Sequence, residues 1–278
     1  MIIIYLMRKL QILFICLYSV FSLLGCANTG TIKPVGTAKD LSLEDALSSM
    51  AAKPRFHTRK RLTYLMAWNG IPVGRVIAES GDVIKYRGRD VHVMTVVTES
   101  NEFLSKIYRV EDKYTSYVDA ETITSRWYEA DRREGNYRKH LVVEYDFDKM
   151  EAIYTNLRDG SVKRCPIEEN VQDPVSAICY FMTMPVRPGE MVGITVNLNE
   201  KNYKLYGKVG KVEVVRLPGM GSRAAFEIRP YAKLEGKMVK KGRAWMYFSA
   251  DENRYPVYGV VLIPFGKVTA TLRSIEDI

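Results

Sequence analysis

Residue types that usually carry catalysis or bind metals are scarce in this chain. Its 278 residues contain only three histidines and four cysteines. His57, His92 and His140 are isolated in strand-like sequence, and none has a second ligand at the spacing of a metal site. The sequence also lacks the Gly-x-Ser-x-Gly elbow of hydrolases, the His-Glu-x-x-His zinc motif and a phosphate-binding loop. We therefore expect no metal, no cofactor and no catalytic residue.

Acidic pairs offer the one route to hydrolytic chemistry, and their spacing is unfavourable. Glu168 and Glu169 are adjacent, as are Asp251 and Glu252. Neighbouring residues on a strand point to opposite faces, so neither pair forms a ready carboxylate dyad. Asp251 is better placed to form a turn through hydrogen bonds from its side chain to the backbone. A glycan-acting enzyme is therefore the least favoured alternative.

The N-terminus carries a short apolar run after Arg8 and Lys9. The run is about 15 residues long, shorter than the ~20 that a spanning helix needs. It ends in Leu23-Leu24-Gly25-Cys26, which resembles the lipobox of bacterial lipoproteins. That resemblance implies cleavage before Cys26 and acylation of Cys26. An N-terminal membrane helix with an incidental cysteine is the alternative. In such lipoproteins an Asp after the cysteine favours the inner membrane, so Ala27 favours the outer membrane.

This interpretation divides the chain into three parts. Residues 1–25 are a signal peptide, residues 26–55 a polar tether with a short helix at 41–50, and residues 56–278 one β-rich domain. Loss of Arg8 and Lys9 lowers the formal charge from +9 to +7. Such a charge suits anionic lipid headgroups or lipopolysaccharide phosphates, and it also suits simple solubility. Export makes nucleic acid an improbable partner. We expect the basic cluster at 132–139 to be solvated surface.

Two cysteines remain in the mature chain after cleavage and lipidation. Cys165 and Cys179 form an even pair in an oxidising compartment. They are either joined in a disulfide or are two buried free thiols.

Short apolar stretches alternate with turn residues along most of the domain. Asn69-Gly70 and Asp159-Gly160 are typical of tight hairpin turns, and Gly81-Asp82 indicates a further turn. Residues 103–110 have the composition of another strand. About a dozen short strands predict a mainly β fold, a large curved antiparallel sheet that forms a half-barrel or barrel.

One segment breaks this pattern with a helical signature. Asp173 is a typical N-cap, Pro174 suits the first helical position, and Pro185 ends the segment. Four apolar residues recur at helical spacing: Val175, Ile178, Cys179 and Met182. The other faces are apolar too, which is typical of a buried helix. We predict one central helix that packs against the concave sheet, or acts as a lid over a lipid pocket.

Three segments in order resemble the bacterial envelope family called domain of unknown function 3108. They are Tyr64-Leu-Met-Ala-Trp-Asn-Gly-Ile-Pro-Val-Gly-Arg75, Gln172-Asp-Pro-Val-Ser-Ala-Ile-Cys-Tyr180, and Trp245-Met-Tyr-Phe-Ser-Ala-Asp251 with Arg254-Tyr-Pro-Val257. The resemblance covers most of residues 56–274. It departs at Met182-Thr-Met184, where the family has an arginine, and at Tyr247 and Phe248. It implies an exported β-rich domain with no established enzymatic function.

A looser likeness, at the level of fold, is to Lol-type lipoprotein carriers, which shelter acyl chains within a curved sheet. Together these patterns predict a non-enzymatic, periplasm-facing lipoprotein that binds a hydrophobic or amphiphilic envelope ligand. The alternative is a scaffold that assembles with envelope proteins. Candidate ligand-lining residues are Trp68, Ile178, Phe181, Met182, Met184, Trp245 and Tyr247.

Overall fold

The part of the chain that the structure describes forms one large β-sheet with three short helices. The computed structural model describes residues 43–52, 56–239, 244–264 and 266–278. The helices are α1 (Leu43–Ala51), α2 (Glu102–Ser105) and α3 (Ser176–Thr183). The strands are β1 (Lys60–Trp68), β2 (Ile71–Tyr86), β3 (Arg89–Ser100), β4 (Glu111–Asp119), β5 (Ser125–Glu134), β6 (Tyr137–Asp146), β7 (Glu151–Asn156), β8 (Val162–Pro166), β9 (Val171–Gln172), β10 (Met191–Leu198), β11 (Lys201–Leu217), β12 (Gly221–Leu234), β13 (Lys237–Met238), β14 (Ala244–Ser249), β15 (Pro256–Ile263) and β16 (Gly266–Asp277).

Neighbouring strands in the sheet are mostly neighbours in sequence. Strands β8 to β1 follow one another across the sheet, β16 pairs with β1, and the order continues through β15, β14, β12, β11 and β10 to β9. The pairs are antiparallel except that β9 runs parallel to β10. The mainly β prediction is therefore confirmed, with one parallel pair added at an edge.

The sheet curls so that its two edge strands, β8 and β9, approach each other. No ladder of backbone hydrogen bonds joins these two strands. Edge strands β8 and β9 are joined by residues 167–170 alone. Side chains bridge the gap: Tyr154 on β7 donates to Asn197 on β10 (2.5 Å), and Asn202 on β11 donates to the Pro166 carbonyl on β8 (2.7 Å). The curl creates the concave face that the sequence predicted.

Local turn chemistry explains which strand boundaries were predicted correctly. Asn69 and Gly70 both have positive φ and form the two-residue turn between β1 and β2. Asp159-Gly160 lies in the loop between β7 and β8, also as predicted. The turn predicted at Gly81-Asp82 is wrong: β2 runs through it, with a register shift between Ser80 and Val83. Such a bulge admits extra residues without ending the strand.

The predicted strand at residues 103–110 is instead the short helix α2 and the turn after it. The Asn101 side chain accepts a hydrogen bond from the Leu104 backbone N–H (2.9 Å) and caps this turn. An Asx cap competes with extended structure over such a short distance. Two apolar side chains are left in solvent, Phe103 at 62 % and Ile107 at 57 % exposure.

Helix α3 lies inside the curl, as the helical signature predicted. Its first turn is held by Asp173, whose carboxylate accepts from the backbone N–H groups of Val175 (2.6 Å) and Ser176 (2.9 Å). The predicted cap is therefore present, although the regular α-helix begins at Ser176. Cys179 and Phe181 are buried in the core.

Helix α1 docks onto the domain through a buried arginine. Arg254 is fully buried, and its Nη2 donates to the carbonyls of Ser49 (3.1 Å) and Met50 (2.9 Å). A cation at this position complements the partial negative charge of the helix C-terminus. The turn that holds Arg254 is built as predicted, since Asp251 Oδ1 accepts from the Asn253 (3.0 Å) and Arg254 (3.1 Å) N–H groups. The helical part of the predicted tether therefore packs on the domain.

In the part of the chain that the structure describes, no helix has the length and apolarity to cross a bilayer. The predicted signal peptide, the lipidation site Cys26 and most of the tether lie outside the described residues.

Candidate functional site: an apolar cavity beside the central helix

An apolar cavity lies between α3 and the concave face of the sheet. Helix α3 and the turn before it supply one wall through Val175, Ile178, Cys179 and Met182. The strands opposite supply the other wall: Leu62 and Tyr64 on β1, Ala78 on β2, Met94 and Val96 on β3, Gly259 on β15 and Ala270 on β16. Alternation along each strand places these residues on the inner face, so the cavity follows from the period-two pattern of the strands.

The first cavity, called the slot below, has a small accessible volume. The centre of a water molecule can reach about 70 Å³ of it, within a concave space of about 810 Å³ that includes the open mouth. The smaller value is below the ~150 Å³ of an engineered apolar cavity that binds benzene. A ligand of several carbons therefore has to extend into the open part of this space. Met182 lines it, and a methionine side chain adapts its shape easily.

A second apolar cavity flanks α3 on its other side. Its walls include Phe181 on α3, Phe248 on β14 and Val192 on β10, and water can reach about 110 Å³ of it. Ile178 and Met246 line both cavities. The two cavities therefore adjoin at these two side chains, of which Met246 is the flexible one.

The polar groups of the first cavity gather at one end. His57 and Lys60 lie where the chain enters β1, and Tyr255 lies in the turn that leads into β15. The rings of His57 and Tyr255 are 6.3 Å apart, and the Lys60 ammonium pairs with Asp277. Burial raises the pKa of Tyr255 to about 12, so its hydroxyl stays protonated at neutral pH. The cavity is thus apolar along its length and polar at its mouth.

The predicted ligand-lining residues separate into two groups. Ile178, Phe181 and Met182 line one or both cavities. Trp68 and Met184 are half-buried and pack against the core clusters. Trp245 and Tyr247 are buried but line neither cavity, because alternation along β14 turns Met246 and Phe248 toward the second cavity instead.

Sequence reasoning missed several residues that do line the first cavity. Tyr255 and Gly259 belong to or follow the late motif, yet nothing in their local pattern marks them as cavity residues. Met246 lies between the two aromatic residues that were selected. The alternation of side chains along β14 is the signal that could have identified Met246, because it places Met246 on the opposite face from Trp245 and Tyr247.

Both cysteines are free and buried. Cys165 on β8 accepts a hydrogen bond from the Asn197 side chain (3.4 Å), and Cys179 lies on α3 in the wall of the first cavity. Of the two alternatives, a disulfide or two buried free thiols, the structure therefore has the second. Burial raises the pKa of Cys179, which makes a reactive thiolate unfavourable at neutral pH.

The histidines occupy three unrelated places. His57 lies at the cavity mouth, His92 stacks against Phe56 at 4.4 Å, and His140 bonds Glu129 through Nε2 (2.6 Å). Within the described ranges, no group of three His, Cys, Asp or Glu side chains is placed to hold a metal ion.

Part of the basic cluster at 132–139 is not solvated surface, contrary to expectation. Arg132 is 6 % exposed and donates through Nε (3.0 Å) and Nη2 (2.8 Å) to Glu134, which is 2 % exposed. The carboxyls of Glu134 and Asp112 are also hydrogen-bonded to each other. Arg132 is buried because alternation on β5 turns it inward, opposite Asp112 on β4. Charged residues normally mark the solvent-exposed face of a strand, so the sequence alone does not predict that Arg132 points into the core.

This buried pair predicts a pH-dependent stability. Burial, with the nearby Asp112 carboxyl, raises the pKa of Glu134 to about 7. The folded state then binds more protons than the unfolded state between about pH 4.5 and 7, so the free energy of unfolding falls as pH rises through that window. We expect a decrease of about 2–3 kcal/mol. Glu134→Gln should flatten this slope in urea unfolding series, whereas Glu111→Gln, at an exposed ion pair, should not. Parallel slopes in all three proteins would contradict the assignment.

Comparisons with known proteins agree with this fold. A family model described as "Protein of unknown function (DUF3108)" matches residues 63–273. No curated protein matches the chain. The crystal structure of a beta-barrel-like protein of the domain of unknown function DUF1849 from Brucella abortus is similar, with a TM-score of 0.55 and 8 % identity over 81 % of this chain and 99 % of that one.

Two further structures are more distant. An exported-protein candidate with a YmcC-like fold from Bacteroides fragilis has a TM-score of 0.31 and 9 % identity, over 81 % of this chain and 99 % of that one. A lipoprotein candidate from Parabacteroides distasonis has a TM-score of 0.35 and 8 % identity, over 80 % and 97 %. At these identities the likeness concerns fold alone.

Proposed function

Because the chain belongs to the DUF3108 family, a family of unknown function, we propose its function from its own cavity. The protein is a non-enzymatic lipoprotein, anchored through Cys26 in the outer membrane and facing the periplasm, that binds a hydrophobic or amphiphilic envelope ligand. The observation that carries this proposal is the apolar slot between α3 and the concave sheet. A filled core would have left no such space, since protein interiors are normally packed without voids larger than a water molecule.

Two observations support the choice of an alkyl ligand. Most side chains in the walls of the slot are apolar, and the Tyr64 hydroxyl among them is already bonded to the Pro256 carbonyl. The mouth lies at the end of the sheet where α1 enters the domain, since His57 and Lys60 precede or begin β1. A membrane anchor upstream of α1 would therefore leave the mouth near the lipid surface that supplies such ligands.

The buried carboxylates support a non-enzymatic role. A glycan-acting enzyme needs two facing carboxyls in an open cleft. Asp112 and Glu134 do face each other, but they are 4 % and 2 % exposed and are held by Arg132. They form an internal polar cluster that a glycan cannot reach.

An exposed apolar patch favours the scaffold role as a second candidate. Ile71, Phe103 and Ile107 are each more than half exposed. Asn101 holds this region together, because its side chain donates to the Pro72 carbonyl (2.8 Å). The patch lies at the end of the sheet opposite the cavity mouth, where a partner protein would not block the slot.

Native mass spectrometry of the full chain tests the leading proposal. The protein should be released from membranes in mild detergent and sprayed without denaturation. We expect a mature mass that begins at an acylated Cys26, together with a non-covalent adduct of the mass of an alkyl-chain lipid. The Cys26→Ser variant should lose the covalent acyl groups and keep the adduct after exposure to membrane lipid. Absence of any adduct in both proteins, after incubation with total envelope lipid, would overturn ligand binding.

A further inference from the structure

We propose that the ligand is a single-chain amphiphile with an anionic oxygen headgroup, a carboxylate or a phosphate, which accepts a hydrogen bond from the Tyr255 hydroxyl beside Lys60. This inference rests on the proposed function and adds the chemical class of the ligand. It is carried by an unpartnered buried donor, by the charge at the cavity mouth and by the shape of the slot.

The Tyr255 hydroxyl is the main reason for an acceptor headgroup. Tyr255 is 5 % exposed and lines the first cavity, and its hydroxyl has no hydrogen-bond partner among the described residues. Buried polar groups are nearly always paired, and an unpaired one costs free energy. Tyr64, which lines the same cavity, already donates to the Pro256 carbonyl (2.9 Å). Tyr255 therefore places in the cavity wall a buried donor that has no partner among the described residues.

The charge at the mouth favours an anion over a neutral acceptor. Lys60 lines the cavity, and its ammonium pairs with Asp277, a side chain that is 85 % exposed. The Lys60 side chain is 25 % exposed. An ion pair with one partner in solvent contributes little to stability, so the ammonium can turn to a ligand at small cost. Ser80 lies beside it, and its hydroxyl accepts from the Lys60 backbone N–H (3.1 Å). One phenol and one ammonium together suit a carboxylate or phosphate oxygen.

The slot itself favours one chain. Its accessible volume of about 70 Å³ favours one alkyl chain over two side by side. A longer tail would approach the second cavity at Ile178 and Met246, which line both spaces. A fatty acid or a single-chain phospholipid has this shape, and a two-chain phospholipid does not.

The Tyr255→Phe variant tests the contribution of the headgroup to affinity separately from that of the tail. Affinities should be measured by calorimetric titration of the protein with decanoic acid, decyl phosphate and methyl decanoate. A hydrogen bond to a charged group predicts about a 10-fold to 100-fold loss of affinity for the two anions in Tyr255→Phe. The neutral ester should lose less than about threefold. The free variant should unfold at the same or a higher temperature, because the substitution removes an unpaired buried hydroxyl.

Tyr145→Phe is the matched control. Tyr145 is also 5 % exposed with an unpartnered hydroxyl within the described part of the chain, but it lines neither cavity. It should bind all three probes as the wild type does. If no probe binds the wild type, the proposed function itself fails. If the probes bind and Tyr255→Phe changes none of the affinities, only the headgroup inference is overturned. The relative affinity of decanoic acid and decyl phosphate then identifies the source of the anion.

Discussion

A Gly259→Val variant will lose binding of alkyl ligands and, at the same time, unfold at a higher temperature than the wild type. Gly259 lies in β15 opposite Met246 and Ala270, which face the first cavity. A Cβ atom built at Gly259 has no heavy atom within 4 Å. Its φ is not in the left-handed region, so a β-branched side chain fits the strand and extends into the empty slot.

The two effects have separate physical causes. Replacing a glycine in a strand removes its entropic cost of about 0.5–1 kcal/mol, and burying the new apolar side chain adds to this. We expect about 2 kcal/mol of stabilisation, which corresponds to roughly 4–8 °C in Tm for a domain of this size. The same side chain occupies the space of the ligand, so affinity for decanoic acid should fall at least about tenfold, as expected when a buried contact of 1.4 kcal/mol is lost.

Gly81→Val controls for the substitution itself. Gly81 lies at the bulge in β2, and a Cβ there makes only ordinary contacts, the nearest at 3.4 Å to the Val93 carbonyl oxygen. Gly81 lines neither cavity, so the affinity of the Gly81→Val variant for decanoic acid should equal that of the wild type.

Ala78→Leu blocks the same slot from β2 and gives an independent test. Unchanged affinity in both blocking variants, with folding intact, would show that the ligand does not occupy this cavity.

Local signals in the sequence predicted the features that depend on a few neighbouring residues. The hairpin at Asn69-Gly70 and the helix after Asp173 are of this kind, since turn type and capping are decided within four residues. The bulge at Gly81-Asp82 was mistaken for a turn because both features use the same small and polar residues. Whether the strand continues depends on its partner, here Val91 and His92 on β3.

Features that depend on the pairing of strands distant in sequence could not be predicted from the sequence. The cavity exists because Gly259 is placed between Met246 and Ala270, and no local pattern specifies that register. The same limit explains Arg132, whose inward position depends on its alignment with Asp112. Trp245 was predicted to line the ligand site. In the folded protein Trp245 is core, and the empty space lies beside a residue without a side chain.

Asp173→Ala will be among the most damaging single substitutions in the domain, whereas Asp173→Asn will be far milder. The Asp173 carboxylate is fully buried and accepts four hydrogen bonds. Two come from the hydroxyls of Ser116 and Ser125 (2.5 Å each), which belong to the sheet, and two from backbone N–H groups at the start of α3. One carboxylate therefore fastens the central helix to β4 and β5.

Alanine leaves all four donors without a partner in the core. Each buried unpaired group costs about 1–3 kcal/mol, so a loss of at least about 4 kcal/mol is expected even when the hydroxyls rotate to other acceptors. Asparagine keeps an oxygen for the two backbone donors, and its amide can donate to the serine hydroxyls, which can also accept. Because burial raises the pKa of Asp173, removing the charge offsets part of that cost, and we expect a loss below about 2 kcal/mol.

Chemical denaturation of the three proteins at pH 7 measures this difference directly. Since α3 forms a wall of both cavities, the alanine variant should also lose affinity for decanoic acid, because the helix that lines the slot is no longer held at its first turn. Asp159→Ala is the control: this exposed aspartate makes a similar set of local bonds to Ser161 in a hairpin, and its loss should cost about 1 kcal/mol or less without affecting the ligand. Equal destabilisation by Asp173→Ala and Asp159→Ala would mean that α3 is held by apolar packing alone. The slot would then depend on the fit of Ile178 and Met182 against the sheet rather than on the capped helix.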